Sequence, residues 1–215
     1  MERGWGEAKT SQSIATKRII QMANIQIKSR IQYKGNLLCL AFFKRCLCVL
    51  IIGIPHLIFA QKSDLKIMIA GTVSYLDKAE NYSDECNQLL KKCVATKDKE
   101  LAKKMAEEAM KIALKAKEQS DLAEKRADQI EVEAKKIGCF TGASEADDAE
   151  DYCRQLGYHT FEISIYTKKA TSELELVYIQ EYIYKALNYA NLAYEALKNA
   201  RVEIENAVKD VDTCD

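Results

Sequence analysis

The chain has 215 residues with 32 basic and 32 acidic side chains, so its formal net charge is zero. The charge is uneven: residues 1–61 carry nine basic and two acidic side chains, a net +7, which leaves −7 for residues 62–215. An acidic body without a concentrated basic face is poorly suited to phosphate binding, so we predict no nucleic-acid partner. The body contains neither proline nor tryptophan and is rich in Ala, Glu, Lys and Leu, a composition typical of long helices.

An apolar run occupies residues 46–60, follows a Lys-Arg pair and ends at Ala60. A basic flank, a short apolar stretch and a small final residue are the three parts of a secretory signal. We therefore predict that residues 1–61 are a basic region and a signal peptide cleaved after Ala60. The alternative treats residues 37–60 as one segment that tethers the protein to the inner membrane, although a charged pair in mid-membrane disfavours it.

Four heptad-like seams follow the leader, at residues 65–93, 106–137, 146–170 and 176–211. In each seam apolar or small residues recur in alternating steps of three and four, which is the pattern of a coiled-coil face. The second seam consists almost entirely of small residues, which allow close approach of helix axes. The body at residues 62–215 is thus predicted to be all-α, an elongated antiparallel bundle of three to four long coiled-coil-like helices.

The position of the first turn is open between two alternatives. A turn at residues 95–98 gives helices near 63–94, 97–137, 145–170 and 173–211. A turn at residues 81–84 instead makes residues 84–137 one long helix. The break after the second helix is clearer, because two lysines followed by Gly138 are typical of a helix end.

Residues 84–89 have the sequence DECNQL and resemble residues 151–156, which read DYCRQL. This similarity indicates an internal duplication in which each half is one helical hairpin, at about residues 83–139 and 145–214. Ala-rich heptads also resemble one another by composition alone, so an independent origin is equally open.

An odd number of cysteines lies in the body: Cys86, Cys93, Cys139, Cys153 and Cys214. In an oxidising compartment at least one of them must stay free or pair between chains. We predict a disulfide between Cys139 and Cys153 across an acidic connector, with Cys153 to Cys214 as the alternative. Cys86 and Cys93 are seven residues apart, which is too far for a bond along one helix.

The body contains no recognisable catalytic or metal-binding sequence motif. It has no Cys-x-x-Cys and no zinc-type ligand spacing, and its single histidine, His159, is interpreted as a solvent-facing or half-buried structural residue. We predict no catalytic residue, no metal site and no cofactor. The candidate interaction surface is a cluster of tyrosines in the last helix, Tyr178, Tyr182, Tyr184, Tyr189 and Tyr194.

These features predict an exported, non-enzymatic structural or protein-interaction bundle of a bacterial cell envelope, either periplasmic or extracellular. Its expected partner is an unknown envelope protein or a second copy of itself, and it touches a membrane only through the leader, if the leader stays uncleaved. The alternative is a periplasmic bundle that binds a small ligand or a metal ion among its Cys and Tyr side chains.

Overall fold

The computed structural model describes residues 61–214, which form four helices. Helix α1 runs through residues 61–95, α2 spans Lys99–Lys136, α3 spans Phe140–Ser172 and α4 spans Leu176–Thr213. The all-α bundle predicted from the seams is confirmed. The predicted signal peptide and the alternative membrane segment lie outside the described residues.

Each helix runs antiparallel to the next, and the four close into a ring. Helix α3 packs extensively on both α2 and α4, whereas the diagonal contact between α2 and α4 is small. On one side of α1, Cys93 Sγ donates to the carbonyl oxygen of Ala102 in α2 at 3.2 Å. On its other side, Arg201 Nη2 of α4 donates to Asp77 Oδ1 at 2.7 Å. Helix α1 therefore lies between α2 and α4 in an up-down-up-down bundle.

The two ends of the bundle are distinguished by their connections. At the end that we call the disulfide end, the turn between α2 and α3 lies near residue 61 and the C-terminus of α4. At the end that we call the turn end, residues 96–98 join α1 to α2 and residues 173–175 join α3 to α4.

The first turn lies at residues 96–98, so the first of the two predicted positions is confirmed. The alternative at residues 81–84 is wrong, because α1 continues through that segment. Asp98 fixes the start of α2, since its Oδ1 accepts hydrogen bonds from the backbone N–H groups of Glu100 and Leu101 at 2.9 and 3.1 Å. Such a cap satisfies N–H groups that the first turn of a helix leaves free. The duplication itself is not tested by the fold and stays a prediction.

Helix α2 ends at Lys136, just before Gly138, as predicted. Gly138 has a φ of 80°, a left-handed conformation that favours glycine, and the N–H of Cys139 donates back to the carbonyl oxygen of Ala134 at 2.9 Å. Helix α3 begins earlier than predicted, at Phe140 rather than near residue 145. It does so because small residues in its first two turns are already buried in the core.

The predicted seams form the core almost without exception. Every member of the α3 seam is buried, and the other three seams each have one member that is only half-buried, Ser83 in α1, Ile137 in α2 and Leu176 in α4. Most of the buried side chains of α2 are alanines. Apolar burial per residue is therefore low, and long helices supply the total.

Gly71 offers a stabilising substitution, because it lies inside α1 and a Cβ placed there would meet only Arg126 Nε, at 4.0 Å. Glycine in a helix interior lowers stability relative to alanine, so we expect Gly71→Ala to raise the free energy of unfolding by about 0.5–1 kcal/mol in urea titrations. Gly142→Ala is the control, since its Cβ would lie 3.0 Å from Cys139 Sγ and 3.2 Å from Val211 Cγ2. Equal gains for both variants would contradict the packing described.

Candidate functional surface

A disulfide joins Cys139 to Cys214, with a distance of 5.5 Å between the two Cα atoms. It links the turn between α2 and α3 to the C-terminus of α4 at the disulfide end. The pairing of Cys139 with Cys153 predicted from the sequence is therefore wrong, and so is the alternative of Cys153 with Cys214. One disulfide in the body is confirmed, between two of the three candidate cysteines.

The early start of α3 explains the different pairing. Cys139 precedes the first residue of α3, and Cys153 lies 14 residues further along the chain, so about 20 Å of helix separates them. Cα atoms in a disulfide lie within about 7 Å of each other. Cys153 is instead a fully buried member of the α3 seam.

Within residues 61–214 three cysteines form no disulfide, and all three are buried: Cys86, Cys93 and Cys153. The thiol of Cys86 donates to the carbonyl oxygen of Ala109 at 3.4 Å. Burial raises the pKa of Cys86 and of Cys153 to about 12 and that of Cys93 to about 11, and nearby carboxylates add to the increase for Cys86 and Cys153. Because the thiolate is the reactive form, these side chains act as small hydrophobic residues.

We expect iodoacetamide at pH 8 to modify none of these three thiols in the folded protein and all three in urea, as read by mass spectrometry of the peptides. Each thiol has a higher pKa when folded than when unfolded, so its stabilising contribution is complete below about pH 9 and is lost as the pH rises through 11–12. Stability should therefore fall in that alkaline range. Rapid labelling of Cys153 in the folded state would contradict its burial.

The five predicted tyrosines do not share one face of α4. Tyr182 and Tyr189 are half-buried, and their rings stack on Tyr166 of α3 with centroids 6.4 and 5.5 Å away. Tyr184 follows Tyr182 by two residues, which at about 100° per residue turns it to the far side of the helix. Tyr178, Tyr184 and Tyr194 are each about half exposed. The structure thus separates two packed tyrosines from three exposed ones.

His159 is half-buried beside this group, which is one of the two environments predicted for it. Its ring lies between Tyr158 and Tyr189, with centroid distances of 5.4 and 6.0 Å. Burial lowers the pKa of His159, and the nearby Glu162 opposes that effect. Its Nδ1 is buried and has no hydrogen-bond partner within the described part of the chain.

A set of exposed apolar side chains near the middle of α2 and α3 was missed by sequence reasoning. Tyr158 is 54% exposed, while Phe161 and Leu114 are each 43% exposed. On α3, Tyr158, Phe161 and the half-buried Ile165 follow the spacing i, i+3, i+7 on the side away from the seam. This second apolar periodicity was the signal that could have found them. We call Leu114, Tyr158, Phe161 and Ile165 the central apolar patch.

Three carboxylates from two helices also come together, with oxygens of Asp128, Glu131 and Glu150 within 4.8 Å of one another. Basic side chains offset this charge, since Lys135 binds Glu131 and Arg154 binds Glu150. Burial is the largest cause that raises the pKa of Glu150, and Arg154 acts in the opposite direction. Two of the three carboxylates are therefore paired with a basic side chain of their own helix.

An open groove of about 550 Å³ lies between α1 and α2 at the disulfide end. Its apolar residues are Leu65, Met68 and Val132, and its acidic ones include Asp64 and Asp128. None of the predicted cysteines or tyrosines lines it. The predicted alternative of a ligand or metal held among Cys and Tyr side chains stays a prediction.

The fold and these surfaces define an antiparallel four-helix bundle closed by one disulfide, with exposed tyrosines and an apolar patch on its outer faces. Comparison with protein-family models, with curated proteins and with solved structures found no match for this chain. Within residues 61–214, none of the helices has the length and apolar character needed to cross a membrane.

Proposed function

We propose that this chain is an exported, non-enzymatic structural or protein-interaction bundle of a bacterial cell envelope, periplasmic or extracellular. The disulfide between Cys139 and Cys214 carries this proposal, because disulfides persist in oxidising compartments and are rare in the cytosol. The predicted signal segment ahead of residue 61 supports the same location.

Exposed aromatic side chains support an interaction role. Tyr178, Tyr184 and Tyr194 hold large apolar rings at the surface of α4, and tyrosine is enriched where proteins bind each other. The acidic balance of the body argues against nucleic acid, so the partner is an envelope protein or a second copy of the chain.

The state of the nucleophilic and titratable groups supports a non-enzymatic role. The free thiols of the described bundle are buried with raised pKa values, which leaves little thiolate at neutral pH. His159 packs between two tyrosine rings, and a general base needs a proton donor or acceptor within hydrogen-bond reach.

Photocrosslinking in the producing cells tests the proposal. A photoreactive amino acid replaces Tyr178 or Tyr184, and replaces the exposed Lys91 of α1 as the matched control. We expect adducts with an envelope protein or with a second copy at the tyrosine positions, found in the envelope fraction, and none at Lys91. A chain that is recovered in the cytosol with Cys139 and Cys214 reduced would contradict the proposal.

A further inference from the structure

Helices α2 and α3 carry opposite net charge in their two halves. Near the turn end, residues 99–118 and 156–172 together contain eight lysines and five glutamates, a net +3. Near the disulfide end, residues 119–155 contain five basic and ten acidic side chains, a net −5. The central apolar patch lies between these halves. A copy of the same face, turned end for end, would set positive on negative at both ends.

The register of α2 and α3 places the patch on one continuous face. Ser120 Oγ donates to the carbonyl oxygen of Cys153 at 2.6 Å, which fixes how the antiparallel helices lie side by side. Leu114 precedes Ser120 by six residues on α2. Because the helices are antiparallel, Leu114 is level with the part of α3 about six residues after Cys153, just beyond Tyr158 and close to Phe161. Apolar side chains of both helices meet at the middle of the face.

We propose that the α2–α3 face binds a second copy of this chain in antiparallel orientation, about a two-fold axis that passes near Tyr158. This inference rests on the proposed interaction function and names the partner. In such a dimer α3 lies antiparallel to α3 of the second copy. The residue numbers of any two positions that are level with each other then add to the same constant. With the axis at Tyr158, Lys169 faces Asp147 of the second copy. Lys168 and Asp148 are level with each other, on the α2 side and the α4 side of α3. Each of these juxtapositions occurs twice.

These four charged side chains are available for such contacts. All four are exposed, and within residues 61–214 none of them forms an ion pair with another side chain of its own chain. Lys169 Nζ lies 4.9 Å from the ring centroid of Tyr166, and Asp147 is near enough to Lys135 to act on its charge without forming an ion pair with it. Complementary charges of this kind fix orientation and register, while the apolar patch supplies burial.

The face is large enough for a stable dimer. Helix α2 has 38 residues, which gives a length of about 57 Å, and two adjacent helices are about 20 Å wide. Full antiparallel overlap therefore covers roughly 1,100 Å² on each copy, more than the roughly 800 Å² per partner of a standard interface.

Charge reversal tests the arrangement on the full chain as recovered from the cells that express it. Sedimentation velocity over a range of concentrations should show a wild-type dimer. Both Lys168→Glu/Lys169→Glu and Asp147→Lys/Asp148→Lys place like charges opposite each other at both ends. We expect each double variant to raise the dimer dissociation constant at least tenfold.

Mixing the two double variants is the most specific test, because opposite charges are then restored at both ends of a heterodimer. We expect the mixture to dimerise about as tightly as the wild type, and the quadruple variant to do the same. Lys91→Glu/Lys92→Glu on the outside of α1 makes the same charge change away from the face and should dimerise normally.

Three outcomes would overturn the dimer: a wild-type monomer up to about 100 µM, reversed charges without effect, or an equal effect from the α1 control. A monomer that still forms photocrosslinks with an envelope protein rejects the second copy as partner but retains the proposed function. A reduced chain in the cytosol rejects the proposed function whatever its oligomeric state.

Discussion

Removing the disulfide between Cys139 and Cys214 is expected to lower the free energy of unfolding by about 4 kcal/mol. The bond joins cysteines 75 residues apart, so its loss returns the conformational entropy of a large loop to the unfolded chain. For a protein of this size, that loss corresponds to a fall in Tm of about 10–15 °C. The measurement is thermal unfolding, followed by circular dichroism, of Cys139→Ala/Cys214→Ala and of the wild type without reductant.

Reductant and a third cysteine supply the controls for this result. A reductant should lower the Tm of the wild type by a similar amount and leave the double variant unchanged. Cys153→Ala removes a buried thiol that bridges nothing, so this variant should keep its sensitivity to reductant. If Cys153→Ala lost that sensitivity, the pairing of Cys139 with Cys214 would be wrong.

Replacing Ala123 by leucine is expected to lower the free energy of unfolding by about 3 kcal/mol. Ala123 is fully buried in the α2 seam, where small side chains let the helices approach closely. Three added carbon atoms have no space there, and overfilling a packed core costs about 1–3 kcal/mol or more because side chains and backbone must shift. Urea unfolding at equilibrium measures the loss.

Ala70→Leu is the matched control, because Ala70 is exposed on α1. The same chemical change there should alter the free energy of unfolding by no more than about 0.5 kcal/mol. Similar losses at the two positions would show that the narrow seam does not limit side-chain size in this bundle.

The helices and their inner faces could be predicted because their signals are local. Steps of three and four residues fix which side of a helix turns inward, and the seams from Leu65 to Val211 are buried almost throughout. The left-handed conformation at Gly138 likewise depends on a single residue type. Between the two possible first turns, the cap by Asp98 decided the outcome.

The disulfide could not be predicted, because it depends on packing between helices distant in sequence. Gly142 lets α3 approach α4 closely, since a Cβ at this position would lie 3.2 Å from Val211 Cγ2, and this packing places Cys214 beside Cys139. The order of charged residues in the sequence also does not reveal that the two ends of the α2–α3 face differ in net charge. Their segregation emerges only when the antiparallel pairing of α2 and α3 places the two halves side by side.

The intact mass of the protein recovered from its native cell envelope, before and after reduction, tests the central claim most directly. An exported, disulfide-closed bundle predicts a chain that starts at or near Gln61 and gains two protons on reduction, with Cys139 and Cys214 in one disulfide-linked peptide pair. A chain that lacks any disulfide and is found in the cytosol would contradict the claim.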